Sequence, residues 1–85
     1  MPSKSVVVGS SVGLHARPAA VISEAAGALG SEVTICVPGG EPVDASSALL
    51  IMTLGAGYGD TVEVSGADEA DVVRIAALVE QDLDA

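Results

Sequence analysis

The strongest constraint on this chain is a succession of short strand-like runs separated by segments with helical spacing. Residues 32 to 37 alternate: Val33, Ile35 and Val37 fall on one side, and Glu32, Thr34 and Cys36 on the other. Residues 60 to 65 alternate again, with Val62 and Val64 inward. Residues 3 to 8 carry the β-branched run Val6-Val7-Val8. A period of two over so few residues describes a half-buried strand. Between the first two of these runs in chain order, Ile22, Ala25, Ala26 and Leu29 recur at helical spacing. After the last, Val72, Ile75, Ala76, Val79 and Leu83 do the same.

The punctuation completes the order. Gly9-Ser10-Ser11-Val12-Gly13 reads as a flexible loop of small residues. Pro18 fits the first position of a helix, where its missing N–H costs nothing, and Arg17 before it suits the boundary. Gly27 or Gly30 can end that helix. Pro38-Gly39-Gly40 makes a turn, and residues 41 to 45 can return as a short strand that Pro42 confines to an edge. Ser46 or Ser47 can cap a short helix over residues 48 to 53, broken by Gly55, Gly57 and Gly59. Asp68 opens the last helix, with Glu69 and Asp71 at its positive end. The order is β-α-β-β-α-β-α, and an antiparallel sheet with helices on one face satisfies it. At 85 residues we expect one domain spanning 1–85.

Composition narrows the function. Twelve acids against three bases argue against nucleic acid and against anionic membrane surfaces. Partners are expected to be proteins or small molecules. With no Trp or Phe and one Tyr, the core must be aliphatic and tightly packed. A single cysteine, Cys36, excludes an internal disulfide and reads as a buried thiol. One histidine without a second ligand is a poor metal site, and no metal or cofactor is expected. No signal peptide or run of about 20 apolar residues is present, which fits a cytoplasmic protein.

Chemistry concentrates in Gly13-Leu14-His15-Ala16-Arg17-Pro18-Ala19-Ala20, which holds the only histidine. A helix start offers unpaired N–H groups and partial positive charge, a favourable place for an anion, and for phosphate in particular. His15 places a nucleophilic imidazole before that end, and Arg17 adds a cation that can pair with phosphate oxygens. Taken alone, the same residues also describe a surface histidine and a solvated arginine.

The octapeptide resembles the phosphohistidine signature of the HPr family, the phosphocarriers of the bacterial phosphoenolpyruvate:sugar phosphotransferase system. Length, element order and the segment from Ser46-Ser47-Ala48 to Thr53-Leu54-Gly55 resemble it as well. The resemblance implies an α+β open-faced β-sandwich, a four-stranded antiparallel sheet covered by three helices on one face. It implies that His15 is phosphorylated on Nδ1 by phospho-Enzyme I and passes the group to sugar-specific IIA domains. Arg17 would contact the phosphoryl group. Such a chain is a monomeric carrier and not an independent enzyme. Partners would dock on Ala16, Ala20, Ala48, Leu49, Met52 and Gly55, with Leu50 or Ile51 buried. Relatives carry lysines on the first helix where this chain has Glu24 and Gly27. Ser47 falls at the family's regulatory serine, the target of a serine kinase, preceded here by Ser46 where relatives so regulated carry a basic residue. The alternative is a regulatory HPr-like protein of the nitrogen-type or catabolite-control branch, acting on transcription regulators through its phosphorylation state.

Overall fold

The computed structural model describes residues 2–83. Its elements follow the expected order: β1 (Ser3–Val7), α1 (Ala16–Gly27), β2 (Val33–Cys36), β3 (Val43–Asp44), α2 (Ala48–Thr53), β4 (Thr61–Gly66) and α3 (Glu69–Glu80). The four strands form one sheet in the order β1-β4-β2-β3, and every neighbouring pair is antiparallel. Pro42 lies just before the two-residue β3, which takes an edge of the sheet, so its missing N–H interrupts no central ladder.

Register turns the period-two pattern into a buried face. Val6 lies opposite Val62, and Val64 lies between Lys4 and Ile35. Val62, Val64 and Ile35 are fully buried, and they meet Ile22 of α1, Ile51 of α2 and Val72, Ile75, Ala76 and Val79 of α3. Burying each Ile or Val side chain contributes about 1.5–3 kcal/mol. The core is aliphatic throughout, as the composition requires. The opposite face presents Ser3, Ser5, Val7, Thr61 and Glu63, all exposed, and no described helix covers it. Cys36 stands on that face opposite Glu63 and is half-buried, not buried.

Three expectations about element ends need correction. Helix α1 begins at Ala16 with His15 as N-cap, so Pro18 stands third in the helix and Arg17 is already helical. The third N–H has no partner inside a helix either, which is why proline is tolerated there. Helix α1 does end at Gly27, but not through a left-handed glycine: Ala28 closes it in an ordinary helical conformation, its N–H shared by the Glu24 and Ala25 carbonyls. Leu83 lies beyond α3, half-buried against the core, and so does not belong to that helix's stripe.

Candidate functional site

The site begins with a pinned loop. Gly13 adopts φ +76°, and its N–H donates to the Ser10 carbonyl at 2.8 Å. Leu14, 4 % exposed, is anchored in the core, and its N–H donates to the Ala56 carbonyl at 2.9 Å. The next N–H, that of His15, returns to the Gly13 carbonyl at 2.9 Å. The loop is therefore not the flexible lead-in that its small residues suggest. The Leu14 bond to Ala56 and the bonds within the turn hold it in place.

His15 has extended backbone angles, φ −95° and ψ −165°, and its carbonyl accepts the first helical bond from the Ala19 N–H at 2.9 Å. The residues favoured at such a position, Ser, Thr, Asp and Asn, cap the helix with a side-chain oxygen. Here the imidazole makes no capping bond and is exposed. Its ring nitrogens are thus not spent on the fold, while the Ala16 amide and the helix dipole of twelve residues lie directly behind it. Arg17, one residue further, is exposed in the first turn. Among the described residues no group of three or more His, Cys, Asp or Glu could hold a metal ion.

Beside His15 lies a shallow depression of about 360 Å³, lined by Val12, Leu14, His15, Met52, Gly55, Ala56 and Gly57. Met52 and Gly55, at the end of α2, are thus brought to the histidine. Ala16 and Ala20 are exposed on α1, Leu49 is the most exposed large apolar residue at 71 %, and Ala48 is half-buried against the core. Ile51 is the buried member of α2, and Leu50 is 41 % exposed. Val12 and Ala56-Gly57 were not legible as part of the site. Val12 read as loop and Gly57 as a helix breaker, and only the chain's return past Leu14 joins them.

Ser47 caps α2, its Oγ accepting from the Leu50 N–H at 3.3 Å. The turn before it is set by Asp44, whose carboxylate accepts from the Ser46 hydroxyl at 2.7 Å and the Ser46 N–H at 2.9 Å. Those two donors, the hydroxyl first, hold the Asp44 carboxyl below the usual carboxylate range.

Residues 2–81 match the family description "PTS HPr component phosphorylation site". The chain belongs to the HPr family. Phosphocarrier protein HPr of Streptomyces coelicolor is 42 % identical, over 99 % of this chain and 94 % of that protein. That of Mycoplasma pneumoniae is 34 % identical over 95 % and 96 %. Among solved structures, the phosphocarrier protein HPr from Bacillus anthracis superposes with a TM-score of 0.84 at 31 % identity, covering 92 % of this chain and 95 % of that one. An HPr from Thermoanaerobacter tengcongensis gives 0.88 at 27 % identity, covering 100 % and 98 %. The open-faced sandwich is thus the HPr fold, and the chain is a phosphocarrier of the phosphotransferase system, a family that works through phosphohistidine in sugar transport. No described helix is long and apolar enough to cross a membrane.

Proposed function

We propose that His15 is the phosphoryl carrier, accepting from phospho-Enzyme I on Nδ1 and passing the group to sugar-specific IIA domains. The observation that supports this reading most is the exposed imidazole at an N-cap whose side chain leaves the cap unused. In the forward step the Nδ1 lone pair attacks phosphorus, and the bond from phosphorus to the donor breaks with its electron pair staying on the donor. The return step repeats this with His15 as the leaving group. The helix end and Arg17 stabilise the phosphoryl oxygens without a buried cage around them. That moderation suits a carrier: a phosphohistidine bound too tightly would not be passed on. On this reading the chain is a cytoplasmic monomer, one domain, with no catalytic cycle of its own.

The test is incubation with phosphoenolpyruvate and Enzyme I, followed by a IIA domain. We expect label to enter this chain and then leave it for the IIA domain. Label that enters and that no IIA domain accepts would move the protein to the regulatory branch.

Arg17 contributes a cation to the phosphoryl group in this reading. Arg17→Ala should slow transfer by roughly tenfold or more, and, since interactions of an exposed charged side chain are worth little, should change stability by no more than about 1 kcal/mol. Stopped-flow or quench-flow transfer beside thermal melting separates the two effects.

The docking face is assigned to Ala16, Ala20, Ala48, Leu49, Met52 and Gly55, with Leu50 and Val12 as further exposed apolar side chains. Cations are scarce: Lys and Arg number three in the whole chain. Binding to the chain's own Enzyme I should therefore rest on apolar contact. Its affinity should change by less than about threefold between low and high salt, where a charge-steered interface weakens steeply. Isothermal titration across a salt series checks this. Phosphorylation of Ser47 by a serine kinase would set a dianion in the first turn of α2, tolerated by the helix dipole and unfavourable to an apolar partner.

A further inference from the structure

The segment just past α3, residues 81–83, is tied to the loop that leads to His15. Ser10 is the one polar residue buried among the described residues, at 1 % exposure. Its hydroxyl donates to the Gln81 carbonyl at 3.2 Å and accepts the Leu83 N–H at 3.2 Å, so it meets two backbone groups just past α3. Its carbonyl accepts the Gly13 N–H at 2.8 Å, closing the turn that delivers His15. Gly9 completes the joint: its N–H donates to the Val79 carbonyl at 3.0 Å, and a Cβ on it would lie 1.8 Å from the Glu80 carbonyl oxygen. A longer contact, 3.5 Å, runs from the Ser11 N–H to the Asp82 carboxylate.

We propose that Ser10 is a positioning residue for phosphoryl transfer, a clamp through which residues 81–83 fix the turn from Ser10 to Gly13 and hence the placement of His15. The inference rests on the reading of His15 as the carrier. Its physical basis is the cost of an unmade bond. A buried hydroxyl that satisfies two backbone groups cannot be removed without leaving both unpaired. The relaxation available to them is movement of the loop, whose next rigid point in this direction is Gly13 itself. The effect reaches His15 because the Gly13 carbonyl holds the His15 N–H. A misplacement of an ångström at a reacting group can cost about a hundredfold in rate.

The experiment uses four full-length variants. Ser10→Ala removes the hydroxyl. Leu83→Pro removes the N–H that the hydroxyl accepts, and Leu83→Ala keeps that N–H while losing the side chain. The double variant Ser10→Ala/Leu83→Pro measures coupling. Two readouts are taken: kcat and KM for phosphorylation by Enzyme I, and amide hydrogen exchange by NMR. We expect Ser10→Ala and Leu83→Pro to lower kcat by roughly tenfold with little change in KM. Exchange at Gly13 and His15 should quicken while Val64, in the sheet centre, stays protected. Leu83→Ala should keep kcat, and the double variant should be no slower than the slower single one. Wild-type kcat and unchanged Gly13 exchange in Ser10→Ala would overturn the clamp. So would a fall in melting temperature with kcat intact, which is the mark of a merely structural bond. If the unsubstituted protein accepts no phosphoryl group, the carrier reading fails instead, and amide exchange alone decides the clamp.

Discussion

Gly13→Ala should be among the most damaging single-methyl additions in the molecule. Gly13 sits at φ +76°, which costs an L-residue about 1–2 kcal/mol. The added Cβ would also fall 2.7 Å from the Ala56 carbonyl oxygen and 2.8 Å from Gly57 Cα. Both are backbone atoms and cannot swing aside as a flexible side chain can. Overpacking of this kind costs about 1–3 kcal/mol, so together with the backbone term a total loss of roughly 2–5 kcal/mol is expected. In a chain of this size that lowers the melting temperature by roughly 8–40 °C. Transfer should also fall, because the displaced turn carries the His15 N–H on the Gly13 carbonyl. Gly27→Ala is the control: nothing lies within 4 Å of its added Cβ and its φ is ordinary, so it should be neutral or slightly stabilising. Thermal melting of the two variants side by side checks the argument, and equal melting temperatures would refute it.

His15→Ala should abolish phosphoryl acceptance and leave the fold intact. The ring is exposed and makes no capping bond, so its loss should change stability by no more than about 0.5 kcal/mol. His15→Asn carries the point further. Asparagine is a strong N-cap, and its side chain can accept an N–H of the first turn, although Pro18 removes the third-position donor. It should therefore raise stability, by about 0.5–1 kcal/mol, while transferring nothing. The position would then show a residue chosen for chemistry at the expense of the helix it starts. Quantitative phosphotransfer and denaturant unfolding on the same samples measure both halves.

Much of the fold could be read in advance because its signals are local. Val33, Ile35, Val62 and Val64 alternate because one sheet face is buried and the other open. Pro42 marks an edge because a proline cannot donate to a central ladder. Asp68 and Ser47 are side-chain caps of the kind their residue types predict. The octapeptide carried the family. What failed in the approach to the site was set by contacts distant in sequence. Helix α1 starts two residues before Pro18 because the turn at Gly13 and the Leu14 bond to Ala56 fix the entry. Ser10 looked like loop filler because its partners lie 71 and 73 residues away. Cys36 looked buried by its apolar run, yet alternation puts it on the open face. In α2, six residues are too few for a period to separate Leu50 from Ile51, and only packing decides.

The central claim, that His15 is the residue phosphorylated, is tested most directly on the unaltered protein after reaction with phosphoenolpyruvate and Enzyme I. Phosphorus NMR and intact-mass measurement before and after brief acid treatment locate the adduct. The account predicts one phosphoryl group per chain, acid-labile, with phosphorus coupled to Nδ1 of His15. An acid-stable phosphate on Ser47 or another hydroxyl, or no adduct at all, would contradict it.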